Sequence, residues 1–422
     1  KNTLGVTSYT LKKNGLRVLH KHVPDSSVVG LMVTYLVGSR HEVAGHTGST
    51  HILEHLMFKG SKHFPPQRGE SFLDQFARKG ALVNASTWLD RTNYFEVVPK
   101  EYFAECCAAE ADRMRHALIT EKDLREELPA VLSEYAMHRN NSREMLDEHL
   151  WHTAFLAHGY HHSTIGWLSD IHNASAKTLQ HFYDTYYHPN NAFVTIVGDI
   201  PAHEALLLVC EHFGVHPRSP HPIPVPHTTE PEQQGERRFV LERTQGVELC
   251  AVAWKVPPAK HKDTAACMVL KDVLAGGESS LLHAAFVEKG LCAEVYIDYM
   301  PFHDTSLFIV YAVLLPTVRH AAVEEAIARV VKGLMDTPPS KEVLDASKKA
   351  LECSMLTAVD GHYAFLSEIN EYIAAGDWTL YDTLKRKVRG VQSNDVQHCV
   401  REYCTQHTKT VGMVRVIAEQ EK

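Results

Sequence analysis

The chain lacks several features that would settle a function class at once. Its nine cysteines are an odd number and none stands in a C-x-x-C pair, which argues against a disulfide framework and a cysteine-ligated zinc site. The adjacent Cys106 and Cys107 read as core or half-buried helix residues. No uninterrupted apolar run approaches the roughly 18 residues that span a bilayer; the longest strand-like stretch, Leu307 to Leu315, is too short. A basic cluster is missing too. With 51 acidic residues against 43 basic ones the net charge is −8, and such a chain has no stripe with which to track a phosphate backbone. Neither a membrane span nor a nucleic-acid partner is expected. The chain opens on Lys1 rather than Met, which is compatible with a removed targeting segment.

At 422 residues the chain exceeds the size at which one core usually stops growing. The clearest boundary is a stretch with prolines at 217, 220, 222, 224, 226 and 231, since proline fixes φ, removes a donor and disfavours helix and inner strand alike. The expected organisation is a module over 1–215, a linker over 216–236 and a second module over 237–422. In the first, strands are expected over Leu16 to His20, Val28 to Val37, Ala81 to Thr87, Thr92 to Val98 and Ala192 to Val197, with helices from about Thr47, around Glu70 to Arg78 and through most of Lys100 to Tyr187. The second half repeats that order loosely, with strands at Arg238 to Glu242 and Leu249 to Val256 and a helix from Lys262 to Leu274. The fold class is therefore α+β, as two similar modules.

What the chain has in quantity is histidine, 29 residues. Two of them stand in His51-Ile52-Leu53-Glu54-His55, at the head of an apolar stretch through Leu56, Met57 and Phe58. Positions four apart share a helix face, so His51 and His55 can aim their imidazoles at one zinc ion. Glu54 falls beside them, where its carboxylate can reach a water and serve as general base. The order H-x-x-E-H is that of the inverzincins, although a solvated helix face could carry the same string. Two histidines leave a catalytic zinc one protein ligand short. Glu127 and Glu134, seven apart, would share one side of a helix. Glu134 is the ligand candidate, and Glu127 would support catalysis by bonding a ligand histidine or tuning the charge. Pro129 lies two residues after Glu127 and suits a first helical turn but not an interior, so Glu127 is expected to precede the helix proper. The run His158-Gly159-Tyr160-His161-His162 is a weak second candidate, having no carboxylate nearby.

Several ordered stretches go further: Gly38-Ser39-Arg40-His41-Glu42, His51 to Gly60, Asn84-Ala85-Ser86-Thr87, the Glu127 and Glu134 pair, Ile165-Gly166, Phe182 to Ala192, and Val197-Gly198-Asp199. In these the chain resembles the insulinase/pitrilysin family of zinc peptidases, in particular its small bacterial and mitochondrial-processing-peptidase-like members. The resemblance implies two modules, each a mainly antiparallel sheet packed with helices, forming half of a clam-shell around a closed chamber. It also implies one zinc ion per chain, peptide substrates and a second homologous subunit; the compartment stays open, with the bacterial cytoplasm or periplasm as the expectation. Substrate would add a strand beside Ala81 to Thr87, with Asn84 and Ala85 as contacts. Active members of the family carry an Arg and a Tyr in the metal-free half, where Val287 and Ala293 or its neighbour stand here; Tyr296 and Tyr299 come later, and a local shift would bring one of them into place. That departure suggests the zinc-bearing member of a heterodimer rather than a homodimer. A non-catalytic structural or peptide-binding subunit is the alternative.

Overall fold

A computed structural model describes residues 4–66, 72–278 and 280–417. The chain forms two compact units, each built on one sheet. The first gathers Lys1–Tyr135, His162–His227 and Ala358–Thr379; the second gathers Ala136–His161, Thr228–Thr357 and Leu380–Lys422.

The first unit contains β1 (Val6–Thr10), β2 (Arg17–His22), β3 (Val28–Tyr35), β4 (Leu82–Thr87), β5 (Thr92–Pro99) and β6 (Ala192–Gly198), in the sheet order β1-β2-β6-β3-β5-β4. Only β2 and β6 run parallel; Met32, for instance, faces Phe95 and Thr195 across antiparallel ladders. The inner strands β3 and β6 are buried along nearly their whole length, the mark of a sheet covered on both faces. The helix Phe103–His116 packs against β3 and β5, and His362–Ala374 packs against β3, β5 and β6. A Cβ on Gly30 would lie 2.8 Å from Leu366 Cδ1, so glycine lets that helix settle close. Thr34 Oγ1 then donates to Asn370 Oδ1 at 2.7 Å. Deeper in this unit, the guanidinium of Arg113 pairs with Glu96 at 3.1 Å and with Glu110, all three being almost wholly buried. Burial, with the neighbouring Glu110 charge, pushes the Glu96 carboxyl up.

The second unit contains β7 (Arg237–Arg243), β8 (Leu249–Val256), β9 (Cys292–Asp298), β10 (Ser306–Leu314) and β11 (Lys409–Val416), ordered β7-β11-β8-β10-β9. Again only the pair β7 and β11 is parallel. Strand for strand this is the first sheet without β1. The helix Ser142–Ala154 packs on β7, β8 and β11.

The fold is α+β with two similar sheets. The compact units, however, are not the consecutive spans 1–215 and 237–422: the first half of the chain supplies Ala136–His161 to the second unit, and the second half returns Ala358–Thr379 to the first. The reason is packing. Hydrophobic periodicity identifies an amphipathic helix but not the sheet whose apolar face it covers. The chain leaves the first unit between His227 and Thr228, and residues 216–236 form neither helix nor strand. Of the helix expected around Glu70, Phe72–Ala77 is helical, while Glu70 itself lies outside the described residues.

Candidate metal centre

The segment bearing H-x-x-E-H is a helix, Ser49–Leu56. Its first turn has no side-chain cap of its own, so the exposed N–H groups need partners from elsewhere. Glu42 supplies them: its carboxylate accepts from Gly48 N–H at 2.9 Å and Thr50 N–H at 2.7 Å, and lies 3.0 Å from His162 Nε2. Asp170 does the same for the preceding loop, accepting from Gly45 N–H at 3.1 Å, Thr47 N–H at 3.1 Å and the Thr47 hydroxyl at 2.7 Å. Gly48 has φ of +82°, and a Cβ there would meet Ile165 O at 2.6 Å. Two carboxylates at a helix N-terminus also suit its dipole.

The inner face of the helix sets its distance from the second ligand-bearing element. Ile52 and Leu56, one turn apart, pack with Leu124, Val131, Ile171 and Leu179, with Leu128 and Leu132 beside them. Leu124 to Leu132 belong to the helix Glu121–Asn140, so apolar packing brings its Glu127 and Glu134 to the motif. Contrary to expectation, Glu127 does not precede this helix; Pro129 lies in its interior, not its first turn, and Glu127 is fully helical. A proline forfeits one backbone bond and strains another, and here the burial of Leu124 and Val131 on either side outweighs that loss.

Three ligand atoms converge. His51 Nε2 and His55 Nε2 are 3.2 Å apart, and Glu134 Oε2 lies 3.2 Å from the first and 3.4 Å from the second. Tetrahedral zinc with bonds of about 2.0–2.1 Å places its ligand atoms about 3.3 Å from each other, so this triangle matches one face of such a site. Among the described residues the buried His51 Nδ1 has no hydrogen-bond partner, and the ring's polar contacts are those of Nε2 with His55 and Glu134. His55 Nδ1 lies 3.0 Å from Glu127 Oε1; a carboxylate there accepts from Nδ1–H, holds the proton on that nitrogen and turns the Nε2 lone pair towards the triangle. Lys59 holds Glu127 from its other side.

The charges agree with this arrangement. Burial by itself would lower the His55 pKa, but the Glu127 hydrogen bond and the charges of Glu134, Glu54 and Glu127 raise it. The His55 hydrogen bond, with help from Lys59 and against partial burial, draws the Glu127 carboxyl down to about 2. The His51 hydrogen bond lowers Glu134 likewise. Both glutamates are thus anionic at neutral pH, ready to face a cation.

Glu54 stands outside the triangle. The Thr87 hydroxyl donates to its Oε2, tying it to the end of β4. Among the described residues that strand is an edge, paired with β5 alone, and it carries Asn84 and Ala85. Asn84 is exposed and its Oδ1 accepts from Ala85 N–H at 2.9 Å. The run around His158 does not gather: His158 Nε2 lies 3.1 Å from Asp304 and His162 turns to Glu42. In the second unit Val287 ends the helix Leu281–Phe286, and Ala293 is exposed on β9. Lys59, Thr87, Glu42, Asp170 and His162 went unassigned in the sequence. Glu42, Lys59 and Thr87 lie inside the stretches Gly38 to Glu42, His51 to Gly60 and Asn84 to Thr87, and His162 ends the run from His158, but none was given its role there; Asp170 left no trace.

The chain is similar to several known proteins. A family model described as Insulinase (Peptidase family M16) matches residues 17–166, and one described as Peptidase M16 inactive domain matches 173–351. The zinc protease PqqE of Helicobacter pylori is 30% identical over 402 residues, covering 94% of this chain and 89% of its own. The mitochondrial-processing peptidase subunit beta of Rattus norvegicus is 25% identical over 95% of this chain and 82% of its own. Among solved structures, a protease from Helicobacter pylori superposes with a TM-score of 0.91 at 29% identity, over 97% of this chain and 99% of that one. A peptidase M16 inactive domain from Pseudomonas fluorescens shares the fold at a TM-score of 0.87 and 14% identity, over 99% of both chains. With both halves matched and a zinc protease similar along nearly its whole length, the chain belongs to the insulinase family of peptidases, family M16.

Proposed function

We propose that the protein is a zinc-dependent endopeptidase that hydrolyses peptide bonds of unfolded peptides or small presequence-like segments inside a closed chamber, as the zinc-bearing subunit of a heterodimer. The observation that carries the reading is the near-equilateral triangle of His51 Nε2, His55 Nε2 and Glu134 Oε2, with Glu54 beside it and unligated. His51, His55 and Glu134 would hold one zinc ion per chain. When bound, the ion supplies a Lewis acid that acidifies water and polarises a carbonyl.

The chain's own groups do the rest. Glu54, oriented by Thr87, takes a proton from the attacking water and returns it to the leaving amine. Glu127 keeps the proton on His55 Nδ1 and so keeps Nε2 free to bind. The open edge of β4 at Asn84 and Ala85 receives an extended peptide by backbone hydrogen bonds, which tolerate many side chains.

Val287 and Ala293 support the heterodimer, because a neighbouring homologous subunit would supply the Arg and Tyr that this chain lacks; a homodimer would leave them missing. The same absence favours a second reading, a non-catalytic structural or peptide-binding subunit. The compartment of the first reading is the bacterial cytoplasm or periplasm; among the described residues no helix is long and apolar enough to cross a membrane. Turnover of a fluorogenic peptide by the purified complex, lost to a chelator and restored by zinc, tests the peptidase reading. Zinc bound without turnover would leave the second.

A further inference from the structure

A second cluster of ligating side chains lies just beyond the motif helix. The segment Gly60–Pro66 runs on from the turn Met57–Lys59 and is fastened to the end of the helix Phe103–His116. Lys62 N–H donates to His116 O at 3.0 Å, Leu118 N–H donates to Gly60 O at 3.0 Å, and Ser61 pairs with Ala117 in an isolated bridge. At the centre stands the carboxylate of Asp112, only 7% exposed. Its Oδ2 accepts from the Ser61 hydroxyl at 2.5 Å and from His63 N–H at 2.9 Å. Its Oδ1 faces two imidazoles at once, His63 Nδ1 at 2.6 Å and His116 Nδ1 at 2.8 Å. The ring of the buried His216 backs that of His116, 5.3 Å away.

Three features set this cluster apart from an ordinary loop anchor. Its donor set, two imidazoles and a carboxylate whose ligand atoms all lie within 4.8 Å, is that of the metal centre itself. Asp112 and His116 are four apart on one helix, as His51 and His55 are, and the third donor comes from a neighbouring segment. The buried carboxylate is also ionised: burial opposes this, yet the bonds from Ser61, His63 and His116 bring it down to about 2. Its ion-pair partners are the two imidazoles, neither of them permanently charged. A cation would complete the charge balance.

We infer that His63, Asp112 and His116 form a second, exchangeable site for a borderline divalent transition metal such as zinc or nickel, which clamps Gly60–Pro66 to the helix Phe103–His116. Imidazole donors disfavour calcium and magnesium, which prefer oxygen. The present separations are those of hydrogen bonds, below the about 3.3 Å between ligands of a tetrahedral ion. Binding therefore moves each ring outward by about half an ångström and shifts its proton from Nδ1 to Nε2. His63, with 60% of its side chain exposed, has room to do so. Water completes the coordination.

The inference is independent of the peptidase reading, and so is its test. The full chain is stripped of metal and titrated with zinc by calorimetry, as are His55→Ala, His63→Ala/His116→Ala and the triple variant. Two ions per wild-type chain, one in each of the first two variants and none in the triple are expected, and His63→Ala alone should weaken one of the two sites at least about tenfold. In His55→Ala, zinc should raise the melting temperature, and in the triple variant it should not. A double histidine variant that takes up as many ions as the wild-type chain, whether one or two, would overturn the assignment and leave a hydrogen-bonded loop anchor. Far-ultraviolet circular dichroism of each stripped variant establishes that it is folded before its stoichiometry is compared.

Discussion

Two helices occupy the same place in the two sheets. Ser49–Leu56 follows β3, and Thr264–Ala275 follows β8, the strand that holds the position of β3 in the second sheet. In the second helix every residue from Thr264 to Leu270 is buried, as are Val273 and Leu274. In the first, burial is confined to Ser49, Thr50, Ile52, Leu53 and Leu56, and His51, Glu54 and His55 are left half-exposed on the other side. The same architecture therefore yields a core element or a reactive face, according to whether a few positions one turn apart are polar. A reactive face also needs support that a core helix does not. The motif helix has Glu42 and Asp170 at its head, Thr87 on Glu54 and Glu127 behind His55, whereas the N-cap Asp263 of the second helix makes no side-chain cap bond.

The comparison breaks most directly at Glu54. The Glu54→Gln variant should bind zinc as the wild type does while peptide turnover falls by about 10²–10⁴-fold, measured by metal analysis and fluorogenic cleavage; retained turnover would mean that the polar face of the motif helix is not what distinguishes the two units. The buried triad beneath the first sheet comes next. Arg113→Ala strands Glu96 and Glu110 in the core, and a loss of about 3–5 kcal/mol is expected in denaturant unfolding.

A matching test for the second unit uses Asp147, largely buried, which accepts from the Tyr311 hydroxyl and is pushed up to about 6 by burial. A carboxyl whose folded pKa is raised holds its proton longer in the native state, so stability falls as pH rises from about 4 to about 6. Asp147→Asn should abolish that slope and gain at most about 3 kcal/mol over the wild type at pH 7, with little difference at pH 4. Melting curves at both pH values decide it; a gap between variant and wild type that does not widen from pH 4 to pH 7 would reject a buried neutral carboxyl. The smallest effect is expected at Glu127, where Gln should weaken zinc binding by about 10–100-fold without removing it, as read in a competition titration with a chelator.

Much of this was legible in the sequence. Inner strands such as Val28 to Val37 and Leu249 to Val256 announce themselves as apolar runs, and the H-x-x-E-H spacing describes a helix face with a chemical purpose. Glu134 could be singled out because seven residues make two turns. The rest depended on tertiary packing. Nothing local in Ser142–Ala154 or His362–Ala374 says which sheet each will cover, and the sequence spans misassigned both. Pro129 read as a helix start because local rules weigh one lost bond, whereas the apolar cluster of Leu124, Val131, Ile52 and Leu56 weighs the whole helix. The pairing of Thr87 with Glu54 and of Lys59 with Glu127 joins residues whose types carry no signal of their own.

The central claim is that two imidazoles and one remote carboxylate hold a single ion in the first unit. An anomalous difference map from crystals of the protein, recorded at the zinc absorption edge, tests it directly. The account predicts a peak about 2.0–2.1 Å from His51 Nε2, His55 Nε2 and a Glu134 oxygen, with Glu54 outside bonding distance. A map without density there, or a peak whose coordination omits Glu134, would contradict it.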